Sequence, residues 1–357
     1  MSKIINKNDM IKYAEAYDLL EDNISRDIFV NRMFYNITKD KKYIRNIVKR
    51  YVKRKPALSM RNEYKYFQEK PIIIYGAGYW GKKVYRLLQL FGLNVTAFCD
   101  CNTSITDSDI ADKIEIITPY EAAQRDNALI VIASDKYMVE MSEQLSKYGV
   151  PKERIFIMDK TWFIFNDEKQ YFDLNIIDLK DNEVFVDCGA ADGWDTVRFL
   201  NTCGEDSKVF IFEPFIDNVE DLYKKFLYER KVHISSKGVW SHNCKLAIND
   251  TRGGRFSVQL YEDDLGNIDV VSLDSELEKE AKISYIKMDI EGSELNAIKG
   301  SEKIIARTKP KLAVCIYHRP EDIYEIPLYI KSIVPEYKFY IRHYSNYNCE
   351  TVLYAVI

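Results

Sequence analysis

The feature that most restricts the fold of this chain is a local pattern that occurs twice. A short apolar run meets a glycine-containing turn and continues as a helix-like stretch. "IIIYGAGYWGKKVYRLL" runs from Ile72 to Leu88, and "EVFVDCGAADGWDTVRFL" from Glu183 to Leu200. A strand that enters a helix through such a turn opens a parallel α/β unit, because parallel neighbours need a crossover between them. Two of these openings, about a hundred residues apart in a chain of 357, predict two α/β units.

The apolar runs around each opening agree. "IIIY", "VTAFC", "ALIVIA" and "IFIM" alternate with helical stretches over residues 71–160, which predicts a small Rossmann-like parallel domain. From 181 to 357 the strand candidates are "EVFVD", "KVFIFE", "KVHISS", "ISYIKMD" and "KLAVCIY". They are followed by "YKFYIRHY" and "ETVLYAVI", with no helix between those last two. Adjacent strands without a crossover are antiparallel, so the sheet is expected to finish with an antiparallel pair. Residues 1–70 read as a helical N-terminal segment. Ile44, Ile47, Val48 and Tyr51 form one apolar face, and Lys41, Lys42, Arg45, Lys49 and Arg50 lie on the other. That basic face is read as the solvated side of a docked helix rather than a membrane or nucleic-acid contact. Pro56 is expected to end the helical pattern, and residues 161–180 form a linker with some helix.

In the first turn Gly76, Gly78 and Gly81 give G-x-G-x-x-G, and Asp100 follows 19 residues after Gly81. That spacing suits a nucleotide whose pyrophosphate lies at the helix N-terminus and whose ribose meets the acid. It is also the pattern of glycines that only permit close strand–helix packing. In the second turn the acid comes first, giving D-x-G-x-x-x-G from Asp187, Gly189 and Gly193, with Glu213 a further 20 residues on. A ligand with a ribose, an ammonium and a carboxylate but no phosphate fits such a turn, which points to S-adenosylmethionine. Asp187 is expected to reach its ammonium, directly or through water; the competing role is to cap the next helix.

Downstream, "DCGAADG", "FEP", "SLD", "KMDIEGSE" and "PKLAVCIYH" follow one another in order. Together with the last two strand candidates they resemble the FkbM-type family of S-adenosylmethionine-dependent methyltransferases, from Asp181 to the C-terminus. The resemblance implies a class I methyltransferase sheet of seven strands with the last antiparallel. It implies a cofactor turn of Asp187, Gly189, Ala190 and Gly193, with Glu213 at the ribose and Gly238 and Val239 beside the adenine. Ala191 stands where many members have Asn. It also implies O-methylation of a sugar or polyketide-type hydroxyl, and the upstream nucleotide-like unit favours a sugar, nucleotide-sugar or glycan precursor as acceptor. Residues 71–160 loosely resemble the nucleotide-binding-like domains found beside sugar-modifying enzymes.

Methyl transfer needs an acceptor oxygen in line with the C–S bond and something to take its proton. Strand ends are where open α/β sheets bind ligands, so "KMDIEGSE" offers Asp289 and Glu291, and "CIYHRP" offers Tyr317, His318 and Arg319. His318, with an ordinary pKa near 6.5, is the expected general base. Asp289 and Glu291 would orient the acceptor, pair with His318 or bind a hard divalent cation, or simply cap and complement the following helix. Tyr317 and Arg319 are assigned to the substrate, and metal dependence is left open. The alternative is an NAD(P)- or nucleotide-sugar-dependent oxidoreductase or epimerase using the first unit.

Composition removes other classes. The formal net charge of −4 provides no basic field for nucleic acid. Strand four lacks the Asn/Asp-Pro-Pro-aromatic pattern of adenine methylation, and no Pro-Cys dipeptide offers a cytosine-C5 nucleophile. No apolar run reaches the roughly 18 residues of a membrane span. "MSKIINKNDM" is too polar for a secretory signal. Seven scattered cysteines without a C-x-x-C pair read as reduced thiols of a cytoplasmic protein.

Overall fold

A computed structural model of the chain describes residues 7–52, 61–103, 114–159, 169–249, 259–262, 265–280 and 282–357. Three helices come first: α1 (Lys7–Asp18), α2 (Asn23–Thr38) and α3 (Lys42–Tyr51). Asp22 caps α2 by accepting the Ser25 amide at 2.7 Å, and Lys39 ends it in the left-handed conformation. On α3, Ile44, Ile47 and Val48 are buried. The basic residues on its other face are exposed, and Arg50 pairs with Asp27.

The smaller unit follows. It contains α4 (Arg61–Glu69), β1 (Ile72–Tyr75), α5 (Tyr79–Leu90), β2 (Val95–Cys99), β3 (Glu115–Ile117), α6 (Pro119–Ala123), β4 (Leu129–Ile132), α7 (Met138–Lys147) and β5 (Ile155–Ile157). Its five strands are all parallel, in the order β3-β2-β1-β4-β5. The central strands β1 and β4 are buried along their whole length, as strands covered on both faces must be. The three-residue β3 is absent from the sequence expectation, being too short to show a period.

The larger unit begins its sheet at β6 (Val184–Cys188), then α8 (Trp194–Thr202), β7 (Lys208–Phe212), α9 (Ile216–Lys225) and β8 (Val232–Ser235). A second sheet is built from β9 (Gly238–Val239), β10 (Cys244–Asn249), β11 (Gln259–Glu262) and β12 (Ile268–Val271). The main sheet resumes after α10 (Leu273–Glu276) with β13 (Tyr285–Met288), α11 (Glu294–Lys299), α12 (Glu302–Thr308), β14 (Lys311–Cys315), α13 (Asp322–Ile333), β15 (Lys338–His343) and β16 (Thr351–Val356). Its order is β15-β16-β14-β13-β6-β7-β8. β16 runs antiparallel to both β14 and β15, as the missing crossover predicts. The four-stranded sheet was not anticipated, because a two-residue strand and its scattered partners carry no readable alternation. Phe185, Phe199 and Tyr285 stack in the main core at 4.7 and 4.9 Å.

The expected division at residue 70 differs from the structure. The first 52 residues group with everything from Asn166 onward, and Lys53–Phe165 forms the other unit. Within the larger unit α2 lies against the edge strand β15. Leu20 bridges Phe339, Ser25 accepts the Ile341 amide at 2.8 Å, and Asp22 pairs with Arg342 at 2.6 Å. An exposed edge strand is a pairing hazard, and these helices cover it. By contrast Phe67 of α4 is buried in the core of the smaller unit. Pro56 and residues 161–168 of the expected linker lie outside the described residues. No helix among the described residues is long and apolar enough to cross a membrane.

Candidate functional site

In the main sheet the chain runs outward from β6 to β7 and β8, then returns to β13 on the other side of β6. The point where order reverses, at the carboxyl ends of β6 and β13, is where such sheets leave a crevice. The turn after β6 sits there. Gly189 and Gly193 have φ of 81° and 74°, a conformation glycine adopts freely. A Cβ on Gly189 would lie 2.0 Å from the Asp289 carbonyl oxygen, so this glycine lets the turn and the end of β13 touch. A Cβ on Gly193 would press on Leu222 of α9 and on Phe226 just after it. Ala190 is buried between them.

Glu213 follows β7 and is buried. It accepts the Ala191 amide at 3.0 Å and the Phe215 amide at 3.0 Å, tying the turn to the next strand end. A carboxylate has about four acceptor positions, so capacity remains for a ribose diol. Gly238 and Val239 are buried in β9, and a Cβ on Gly238 would lie 3.6 Å from Pro214. The residues expected to flank an adenine therefore stand beside the residue expected to hold the ribose.

Asp187 is fully buried, with one oxygen taken by the Thr196 hydroxyl at 2.8 Å and the other by the Lys287 ammonium at 3.0 Å. Both oxygens are thus engaged by groups of the protein itself. Lys287, in the centre of β13, also donates to the Gly189 carbonyl at 2.8 Å and lies 3.5 Å from Asp195. Burial opposes its charge, but Asp187, Asp195 and Asp289 outweigh that and hold its pKa above the ordinary lysine value. Asp187 thus acts on the turn through Lys287. The sequence signal for this group is a lysine inside an otherwise apolar central strand.

The ends of β13 and β14 bring the remaining candidates together. His318 Nδ1 is 2.9 Å from Glu294, and Nε2 is 3.5 Å from both Asp289 and Glu291. The Glu294 approach is an ionic contact rather than an aligned hydrogen bond, since both ring nitrogens and Glu294 Oε2 have no hydrogen-bond partner. The Tyr317 hydroxyl donates to Asp289 at 3.3 Å and to Glu350 at 3.4 Å. Tyr171 donates to Asp289 at 2.8 Å. Gln170 donates to Glu350. Arg319 stands at the rim, its guanidinium paired with Glu321. Tyr171, Ala191, Glu291 and Glu350 all have positive φ, and such strained residues gather at functional sites.

This ring changes the expected part of His318. Burial lowers its pKa, but Glu294, Asp289 and Glu291 together raise it to about 9. At neutral pH it is an imidazolium, which donates a proton rather than accepting one. Burial, Asp289 and Glu294 raise Glu291 to about 7, and burial with Asp289 raises Glu350 to about 7. Glu294, Glu350 and Tyr171 were not among the sequence candidates. Glu294 lies in the same "KMDIEGSE" stretch, whereas Tyr171 and Glu350 come from distant segments with no local signal.

In the smaller unit Gly76 has φ of 108°, and a Cβ on Gly81 would lie 1.7 Å from the Gly76 carbonyl oxygen. Asp100 accepts the Ala77 amide at 2.9 Å and the Asn102 amide at 3.0 Å. Gly78 begins α5 with open space around it. Gly81 is thus required by close strand–helix packing, whereas Gly78 is not.

Comparison with known proteins follows the same division. A search of curated proteins finds no match. Among solved structures, Methyltransferase FkbM from Methylobacillus flagellatus KT is 18% identical, with 93% of this chain and 99% of that chain covered and a TM-score of 0.48. Aeropyrum pernix fibrillarin, solved with natively bound S-adenosyl-L-methionine, is 10% identical over 56% of this chain and 81% of that one, with a TM-score of 0.38. An rRNA methylase from Streptococcus thermophilus is 17% identical over 50% and 87%, with a TM-score of 0.33. Family profiles match residues 68–156 as a C2185-like N-terminal domain and residues 187–340 as a methyltransferase FkbM domain. Residues 187–340 therefore form an FkbM methyltransferase domain that follows, along the sequence, a C2185-like domain at residues 68–156.

Proposed function

We propose that the larger unit transfers a methyl group from S-adenosylmethionine to a hydroxyl of a sugar, nucleotide-sugar or glycan precursor. The observation that carries this reading is the contact between the glycine turn after β6 and the carboxylate–histidine ring at the ends of β13 and β14. A methyl donor held by the first would lie against an acceptor held by the second. The cofactor, when bound, supplies an electrophilic methyl on a sulfonium. Glu213 and the backbone beside Gly238 would hold its nucleoside, and the turn from Gly189 to Gly193 its amino-acid end.

The protein's own contribution is positioning and charge. Asp289, Glu291 and Glu350 offer acceptors to the several hydroxyls of a sugar, and Tyr317 orients Asp289. Glu291 faces His318 at 3.5 Å and is the group proposed to take the acceptor's proton, with the imidazolium beside it. Support for a sugar rests on these acceptors and on the FkbM domain.

Isothermal calorimetry of the purified chain with S-adenosylmethionine and with NAD(P) tests the cofactor. Binding of the first is expected, with Glu213→Gln weakening it roughly ten- to a hundred-fold, the worth of hydrogen bonds to a charged group. Mass spectrometry of reactions with a sugar and nucleotide-sugar panel tests the acceptor. A gain of one methyl on a hydroxyl supports the reading; binding of NAD(P) in place of S-adenosylmethionine would end it.

A further inference from the structure

Asp289 and Glu291 from the turn after β13 and Glu294 from the start of α11 all lie within 3.5 Å of His318. Three carboxylates share one imidazole, while the nearby Lys287 is occupied by Asp187, Asp195 and the Gly189 carbonyl. Glu294 is fully buried, and its Oε2 has no partner. The His318 side chain is 9% exposed, and neither ring nitrogen has an aligned partner. Asp289 accepts from Tyr171 and Tyr317, and Glu294 Oε1 accepts the Ile290 amide at 3.0 Å. Glu294 Oε2 and both ring nitrogens stay unpaired where buried polar atoms are normally satisfied, and three carboxylates facing one imidazole leave the group short of positive charge. One His318 nitrogen and one oxygen each from Asp289 and Glu294 lie within 4.8 Å of one another. Two metal–oxygen bonds of about 2.0–2.4 Å span such a gap.

We propose that Asp289, Glu294 and His318 bind a hard divalent cation of the Mg2+ or Mn2+ class beside the methyl-transfer site. Two carboxylates with one imidazole, whose ring proton is released to solvent as the ion binds, and no thiolate form a donor set for such ions. The catalytic part of this proposal rests on the methyl-transfer reading; the binding part does not. With three protein ligands the ion has positions left for an acceptor hydroxyl, whose pKa it would lower. The hydroxyl proton then goes to Glu291. The new O–CH3 bond forms as the C–S bond breaks, and its electron pair returns to sulfur as a neutral thioether.

The test titrates the full chain with Mn2+ alone, following the free-ion signal by electron paramagnetic resonance, and repeats it with MgCl2 by calorimetry. One site per chain saturating below about 1 mM, the weak end of carboxylate sites, is expected. Glu294→Gln and His318→Gln should each weaken it at least tenfold, while thermal melting and S-adenosylmethionine binding confirm that each variant is folded. His242→Ala, in the exposed His242–Cys244–Glu262 cluster elsewhere on the unit, should leave the affinity unchanged. Absence of a saturable site below that concentration, or one that survives both substitutions, overturns the proposal. Failure of every form to bind S-adenosylmethionine would remove the methyl-transfer reading, and the Mn2+ titration would still decide the metal.

Discussion

Lys287 provides the sharpest test of how the turn is held. The residue is 2% exposed, and its ammonium is shared by Asp187 at 3.0 Å, the Gly189 carbonyl at 2.8 Å and Asp195 at 3.5 Å. Lys287→Met keeps most of the side chain's volume and removes the charge. It leaves the fully buried Asp187 with only the Thr196 hydroxyl among these partners, and it strands the Gly189 carbonyl. Breaking a buried pair by deleting one partner costs about 3–5 kcal/mol. At about 2–4 °C per kcal/mol for a unit of this size, its melting transition should fall by roughly 6–20 °C. Asp187→Asn should also destabilise, because Lys287 then keeps a weaker set of partners. The double variant replaces both charges and should recover at least about 1 kcal/mol relative to the sum of the singles. Denaturant unfolding of the four forms, with S-adenosylmethionine affinity measured alongside, closes the cycle. A Lys287→Met protein that melts within 2 °C of wild type, or single effects that simply add, would refute this account of the pair and of Asp187 as a support for the turn.

Three other substitutions follow from the same physics. Gly189→Ala places a Cβ 2.0 Å from the Asp289 carbonyl at φ of 81°; strain and overpacking together should cost roughly 2–6 kcal/mol and weaken the cofactor, read by urea unfolding and calorimetry. Asp22→Ala loses the α2 cap and the Arg342 partner, so α1–α3 should loosen from β15; limited proteolysis should cut there first, at a stability loss of about 0.5–2 kcal/mol. His343 is buried beside Arg32, and burial, then Arg32, lowers its pKa to about 3. Its folded value lies below its unfolded one, so the unfolded chain binds the extra proton and stability is lost as pH falls from about 6.5 toward 3. His343→Gln should flatten that limb by up to about 1.4 kcal/mol per pH unit; parallel acid profiles for the two proteins would sink the assignment.

The strand ends were legible because they carry both a period and a chemistry. "KMDIEGSE" and "CIYHRP" announce a strand and then a cluster of polar residues, and the structure places Asp289, Glu291, Tyr317 and His318 in one ring. The turn glycines were legible for the same reason, since few sequences place glycines between a strand and a helix without needing them. Ionisation was not legible. His318 reads as a base when its neighbours are unknown, and becomes an imidazolium only when three carboxylates from another turn surround it.

What the sequence determined by itself was the order of the longer strands of the two main sheets, the antiparallel finish of the second and the position of the two turns. These follow from local period and from the impossibility of joining parallel strands without a crossover. What only the tertiary structure decided was which distant groups share a charge. Lys287 and Asp187 are a hundred residues apart and meet because β13 lies beside β6 in register. Glu350 reaches Tyr317 because β16 inserts between β14 and β15, and α1–α3 join the larger unit because its edge strand needs a cover. Electrostatic energy depends on distance through space and on burial, and neither is a property of spacing along the chain.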